Sequence, residues 1–179
     1  MDDSIGDTAT TQTDTASWRF AEPSDAGFLY DLAVALDPRI WRFSKHGTAP
    51  FRALETVGEY EIIAVLEQPD SGPFGFAGLV DLTGDGRCAQ LDLHTAPVPG
   101  AADAARSVIT EVLDAAFANG QIQHLYIERF DDDPDLIGHL DAFRLEVEIP
   151  EFAFVGGRLA SRLTYGLSRD EYLTWFDTR

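Results

Sequence analysis

Seven apolar side chains in the middle of this chain fall on a single helical stripe: Ala105, Val108, Ile109, Val112, Leu113, Ala116 and Phe117. Spacings of i, i+3, i+4 and i+7 gather them on one face of a helix, and that face must be laid on another apolar surface. The segments on either side read as that surface. Upstream, Tyr60 to Glu67 is rich in β-branched and apolar residues, and Gln68 to Pro73 is a turn. Phe74 to Leu82 and Arg87 to Thr95 then flank Gly84-Asp85-Gly86, a hairpin signal. In the second arm Leu91 and Leu93 alternate with Asp92 and His94, as in a two-faced strand. Downstream, Ile122 to Phe130 is a further strand. A meander, a crossing helix and a following strand imply a mixed sheet covered by helices.

The remaining segments extend this plan. Trp18 to Phe20 reads as a short strand, and Ser24 as the N-cap of a helix carrying Phe28, Leu29, Leu32 and Leu36, ended or kinked by Pro38. A second short helix is expected around Pro50 to Val57. Asn119-Gly120 stops the long helix. Asp131-Asp132-Asp133-Pro134 is expected to start a short helix to about Asp141. Arg144 to Val155 and Arg158 to Leu167 form a hairpin through Gly156-Gly157, and the capping-box spacing from Ser168 to Glu171 opens a last helix through Phe176. Residues 1–16, acidic and nearly without apolar side chains, are expected to be a disordered tail ahead of a single domain over 17–179.

The formal net charge is −18, from 31 acidic and 13 basic residues. A surface so short of Lys and Arg excludes nucleic acid and anionic lipid as expected partners. It favours cationic ones, amines or basic peptides, or else it only maintains solubility. Cys88 is the sole cysteine, so neither an internal disulfide nor a cysteine metal cluster can form. His46 and His124 have no partner at metal-ligand spacing, and no metal is expected. No run approaches the roughly 20 apolar residues of a membrane helix, and no leader pattern opens the chain; the expectation is a cytoplasmic protein.

The element order over residues 18 to 176 resembles the GNAT superfamily of N-acetyltransferases. Trp18 to Asp25 looks like that family's opening strand and first helix cap, and Leu140-Asp141-Ala142-Phe143 looks like its "GF" segment, with Ala142 where glycine is usual. Val155 to Tyr172 looks like the closing hairpin of the branch that acetylates ribosomal-protein N-termini and antibiotics. The resemblance implies an α/β (α+β) fold: a mixed, mostly antiparallel six- to seven-stranded sheet flanked by helices. It also implies acyl transfer from acetyl-CoA to an amine, a small molecule or a peptide N-terminus. The acyl-CoA motif aligns with Pro97-Val98-Pro99-Gly100-Ala101-Ala102. Gly100 and Ala102 match it; Pro97 replaces the first polar residue. In that motif successive backbone N–H groups and a helix N-terminus hold a pyrophosphate. Pro97 and Pro99 each remove one N–H, and Asp103 adds a negative charge beside it. The implied donor site is Leu93, Thr95, Gly100, Ala101, Ala102 and Arg106, the nearest downstream base.

The chemistry needs a base for the amine and often a tyrosine for the departing thiolate. The tyrosine position, four residues before the glycine of "GF", is Gly138, with His139 beside it. The candidates for the base are His94 and Asp92 on the strand entering the motif loop, and Glu128 on the next strand. Against this stands the reading that Asp92 and His94 line a solvated sheet edge. Trp41, Phe43 and Phe154 are candidates for substrate contact, or else serve the core or a homodimer interface. Two functions stay open: an acetyltransferase, or a binding or regulatory module of the same fold without turnover. An acyl carrier protein as donor is disfavoured, because two acidic partners repel.

Overall fold

A computed structural model describes residues 16–36, 60–118, 120–155 and 157–178. Strand β1 (Ser17–Phe20) leads through a 3-10 turn (Pro23–Asp25) into α1 (Ala26–Leu36). Then follow β2 (Ile62–Gln68), β3 (Gly72–Asp81), β4 (Cys88–Thr95), α2 (Ala101–Phe117), β5 (His124–Phe130), β6 (Arg144–Val155), β7 (Arg158–Ser168) and α3 (Arg169–Asp177). The strands form one seven-stranded sheet in the order β1-β2-β3-β4-β5-β7-β6. Every neighbouring pair is antiparallel except β4 and β5, which are parallel because α2 crosses between them. The expected second helix at Pro50 to Val57, Asn119, and the tail apart from Ala16 lie outside the described residues.

Each face of the sheet has its own apolar cluster. The stripe of α2 lies on Leu66, Ala77, Leu79, Leu91 and Leu125, with Tyr172 of α3 in the same cluster. Ile109 is fully buried there; truncating such a side chain to alanine costs about 2–5 kcal/mol. On the opposite face Leu29, Leu32 and Ala33 of α1 pack with Tyr60, Ile63 and Phe76. Alternation along β3 sends Phe76 to the α1 face and Ala77 to the α2 face.

Three expectations need correction. Ser24 does not cap the first helix. The 3-10 turn is capped at Glu22, whose backbone N–H donates to Asp25 Oδ2 at 2.8 Å. Asp25 is drawn into the interior by Arg19, which donates to both its carboxylate oxygens at 2.7 Å, and this pairing holds the Asp25 carboxyl below the usual carboxylate range. Nor does a helix follow β5; residues 131–142 are successive turns. The aspartates there bond to main chain instead of starting a helix: Asp133 accepts from Phe130 N–H, and Asp135 from Gly138 N–H, each at 2.8 Å. Finally, β4 has no solvated face. Asp92 is 6% exposed, so the alternation of Leu91 and Leu93 with polar residues separates two covered faces.

The edge strand β6 is irregular. Its register against β7 shifts between Leu145 and Val147 and again between Ile149 and Ala153. The second shift contains Pro150 and Glu151, the latter at φ 53°.

Candidate functional site

The parallel contact between β4 and β5 is short. Cys88 pairs with His124, Ala89 with Leu125 and Gln90 with Tyr126, and no further pair follows. Beyond that point β4 stays with β3 as far as Thr95, and β5 stays with β7 as far as Phe130. The two strands therefore splay, and their facing main-chain edges are left without a ladder partner. A cleft fills the gap, walled by Leu93, His94 and Thr95 on one side and Ile127, Glu128 and Arg129 on the other. Leu36 at the end of α1 and Asp133, Pro134, Leu136 and Ile137 from the turns after β5 complete it. Gly75 keeps β3 tight against the β4 wall: a Cβ there would stand 2.6 Å from the His94 carbonyl oxygen.

A polar network crosses the sheet beneath the cleft on the α1 face. Tyr60 donates its hydroxyl to Asp92 Oδ2 at 2.7 Å, and Gln90 Nε2 donates to Asp92 Oδ1 at 2.7 Å. The same Gln90 amide reaches toward Glu128 Oε2 at 3.5 Å, linking β4 to β5. Glu128 Oε1 is bonded by the Arg162 guanidinium from β7. Arg162 in turn lies over the Phe152 ring, 5.1 Å from its centroid. Asp92 thus has both oxygens engaged, whereas Glu128 stands in the cleft wall with Oε2 held, among the described residues, only by a long contact. His94 leans on Phe76 with ring centroids 5.4 Å apart. Burial pushes its pKa down, against a smaller upward pull from Asp92 and Asp133, so the imidazole is neutral near pH 7.

In the loop after β4, Gly100 caps α2 at φ 83°, and no atom of the described residues lies within 4 Å of a Cβ built on it. Ala101 N–H is used by Val98 O at 3.3 Å. The N–H groups of Ala102 and Asp103, in the first turn, have no acceptor within the helix. Arg106 is the only base on α2, and its guanidinium donates to Asp103 Oδ1 at 2.5 Å and to the Asp135 carbonyl at 2.8 Å. It ties the helix to the turns after β5. Arg129 ties the same turns to the sheet, through Asp133 O at 3.1 Å and Tyr165 Oη at 3.3 Å.

Of the residues singled out from sequence, His94, Glu128, Leu93 and Thr95 meet in the cleft, with Asp92 beneath them. Phe154 is 69% exposed near the tip of the β6–β7 hairpin; Phe152, two residues earlier, is the aromatic that reaches the network. Trp41 and Phe43 lie outside the described residues. His139 is exposed, and among the described residues no three potential ligands gather for a metal. Sequence reasoning missed Tyr60, Gln90 and Arg162, which are polar residues inside strands or turns with no local pattern to mark them.

No family model matches the sequence, and no curated protein matches it. Solved structures do. Spermidine N-acetyltransferase from Vibrio cholerae, in complex with CoA and spermine, superposes at a TM-score of 0.69 with 20% identity, over 89% of this chain and 98% of that one. A chimera of the Vibrio cholerae enzyme SpeG with hSSAT gives 0.71 at 20% identity, over 88% and 99%. SpeG with manganese ions gives 0.71 at 19% identity, over 89% and 96%.

The fold is that of the GNAT N-acetyltransferases. Within the GNAT fold, the splayed strands and the loop capping α2 are the region in which the sequence resemblance puts the donor motif. No described helix is long and apolar enough to cross a membrane.

Proposed function

We propose that this chain transfers an acetyl group from acetyl-CoA to an amine, with Glu128 as the base. The observation that carries the reading is the cleft between β4 and β5, with Glu128 and His94 in its walls. The structural neighbours named above are amine N-acetyltransferases, and one was solved with CoA.

The cleft fits one end of the donor better than the other. The unpaired edges of β4 and β5, with Leu93, Thr95 and Ile127, would hold the pantetheine arm by amide bonds and apolar contact. Gly100 and the first-turn N–H groups of Ala102 and Asp103 would meet the pyrophosphate. That end has no free base on α2, because Arg106 is already shared between Asp103 and Asp135. When bound, acetyl-CoA supplies the activated acyl group. Glu128 attracts the acceptor ammonium and takes its first proton; the C–N bond would form as the C–S bond breaks, and the second nitrogen proton would pass to the departing thiolate, which leaves as the CoA thiol. Asp92 holds Gln90, which reaches Glu128, so it orients the base and does not take the proton itself. His94 stays neutral and can pass a proton along the cleft.

The test is acetyl-CoA titration by calorimetry, followed by thiol release with an amine panel. Binding with release supports the reading; neither binding nor release ends it. A module without turnover is favoured by one feature, Gly138 at the tyrosine position, and would bind CoA with no release.

A further inference from the structure

Resting on the acetyltransferase reading, the geometry points to a zwitterionic acceptor: a free α-amino acid, its ammonium on Glu128 and its carboxylate on Arg162. A carboxylate standing alone in the cleft wall would suit any ammonium, a polyamine included. Glu128 does not stand alone. Arg162 neutralises it from the neighbouring strand, and the two side chains are 19% and 29% exposed. Within the pair one cation matches one anion, so a polycation at this point is held only by the more distant Asp92 and Asp133. The second ammonium of a polyamine would also be brought toward the guanidinium, and like charges at close range disfavour binding.

The pair has capacity for two opposite charges on one small molecule. Glu128 Oε2 has, among the described residues, only the 3.5 Å contact from Gln90. Among the described residues, Arg162 makes a hydrogen bond to Glu128 alone and is otherwise stacked on Phe152. A guanidinium has five donors in a fixed fork, so most of them remain for an incoming carboxylate, which takes a forked guanidinium well. An α-amino acid carries its ammonium and carboxylate on one carbon, the spacing that two adjacent, already paired side chains can serve together. Phe152 and Ile149, 48% and 40% exposed, flank Arg162 and offer an apolar surface to the rest of the molecule. The polyamines acetylated by the structural neighbours lack the carboxylate that this arrangement recognises.

The experiment compares each of the proteinogenic L-amino acids with its own carboxamide, and both with spermidine, by thiol release from acetyl-CoA. The free acids are expected to exceed their amides in kcat/KM by tenfold or more, and to exceed spermidine. Arg162→Gln is expected to bring the acid-to-amide ratio close to one, and Arg162→Lys to retain part of it; thermal melts check that both variants fold. Amides or spermidine used as well as the acids would overturn the inference and leave acetyl transfer standing. An acid-to-amide ratio unchanged in folded Arg162→Gln would overturn it equally. No release with any acceptor, together with no acetyl-CoA binding, would overturn the acetyltransferase reading and this inference with it.

Discussion

The Tyr60 hydroxyl sits 2.7 Å from the Asp92 carboxylate because the ring of Tyr60 lies over Gly78, the residue directly opposite Asp92 in the β3–β4 register. A Cβ on Gly78 would stand 2.5 Å from two ring carbons. Gly78→Ala is therefore expected to cost about 1–3 kcal/mol, the usual penalty for overpacking. Tyr60→Phe removes a donor from a buried carboxylate and is expected to cost about 1–3 kcal/mol. Urea denaturation measures both. If Gly78→Ala is neutral, the ring does not occupy this seat.

Acid should weaken the fold in two separate windows. Burial lowers the pKa of His94 from the ordinary 6.5, so the unfolded chain takes up the proton first. The stability that a neutral His94 permits is complete above about pH 6.5 and falls as pH drops toward the folded value. Asp25 and Asp131, held below 3.8 by Arg19 and Arg158, lose their contribution only at lower pH. His94→Gln should flatten the curve between about pH 7.5 and 5.5 and leave the lower window in place. Denaturation midpoints across that range decide it; an unchanged slope would mean His94 is not the titrating group.

Glu128→Gln keeps the size of the side chain and removes its basicity. Turnover is expected to fall on the order of 10²–10⁴-fold, the usual contribution of a positioned base. Asp92→Asn should act through stability and positioning, with a smaller loss in kcat. Equal rates for wild type and Glu128→Gln would transfer the role elsewhere, His94 being next in the wall.

CoA itself should bind weakly, and its 3′-dephospho or pantetheine fragments nearly as well. The double substitution Pro97→Arg and Pro99→Gly restores one cation and two N–H groups ahead of Gly100. A charge-assisted bond contributes about 1.5–3 kcal/mol, so affinity is expected to rise by roughly one to two powers of ten. Calorimetry reads this directly. Tight CoA binding by the unaltered protein would show that the prolines do not impair the loop.

The elements best read from the sequence are those whose signal is local. The stripe of α2, the Gly84–Gly86 hairpin and the Ser168–Glu171 capping box each depend on side chains a few residues apart, and the structure has all three. The turns after β5 read as a helix because Asp131-Asp132-Asp133-Pro134 is a good helix start, whereas Asp133 and Asp135 here serve neighbouring N–H groups. Ser24 lost the cap to a contact six residues back, Arg19 with Asp25. In the cleft, His94 and Glu128 were legible as polar residues on strands of known order. Arg162 was not, since its meaning depends on β7 lying beside β5, a neighbour relation that no local pattern fixes.

The broken register of β6 bears on how this protein meets other copies of itself. An open sheet has two edges at which a foreign strand can add, and here one edge is β1, only four residues long. The other is β6, where Pro150 offers no N–H, Glu151 turns the backbone out of the extended region, and Glu146 and Glu148 add charge. Such an edge cannot template a continuous backbone ladder. Val147, Ile149 and Phe154 stay exposed on the hairpin, yet any contact they make has to be side chain against side chain. The irregularity, with the charges and the proline around it, guards this edge against strand-upon-strand growth.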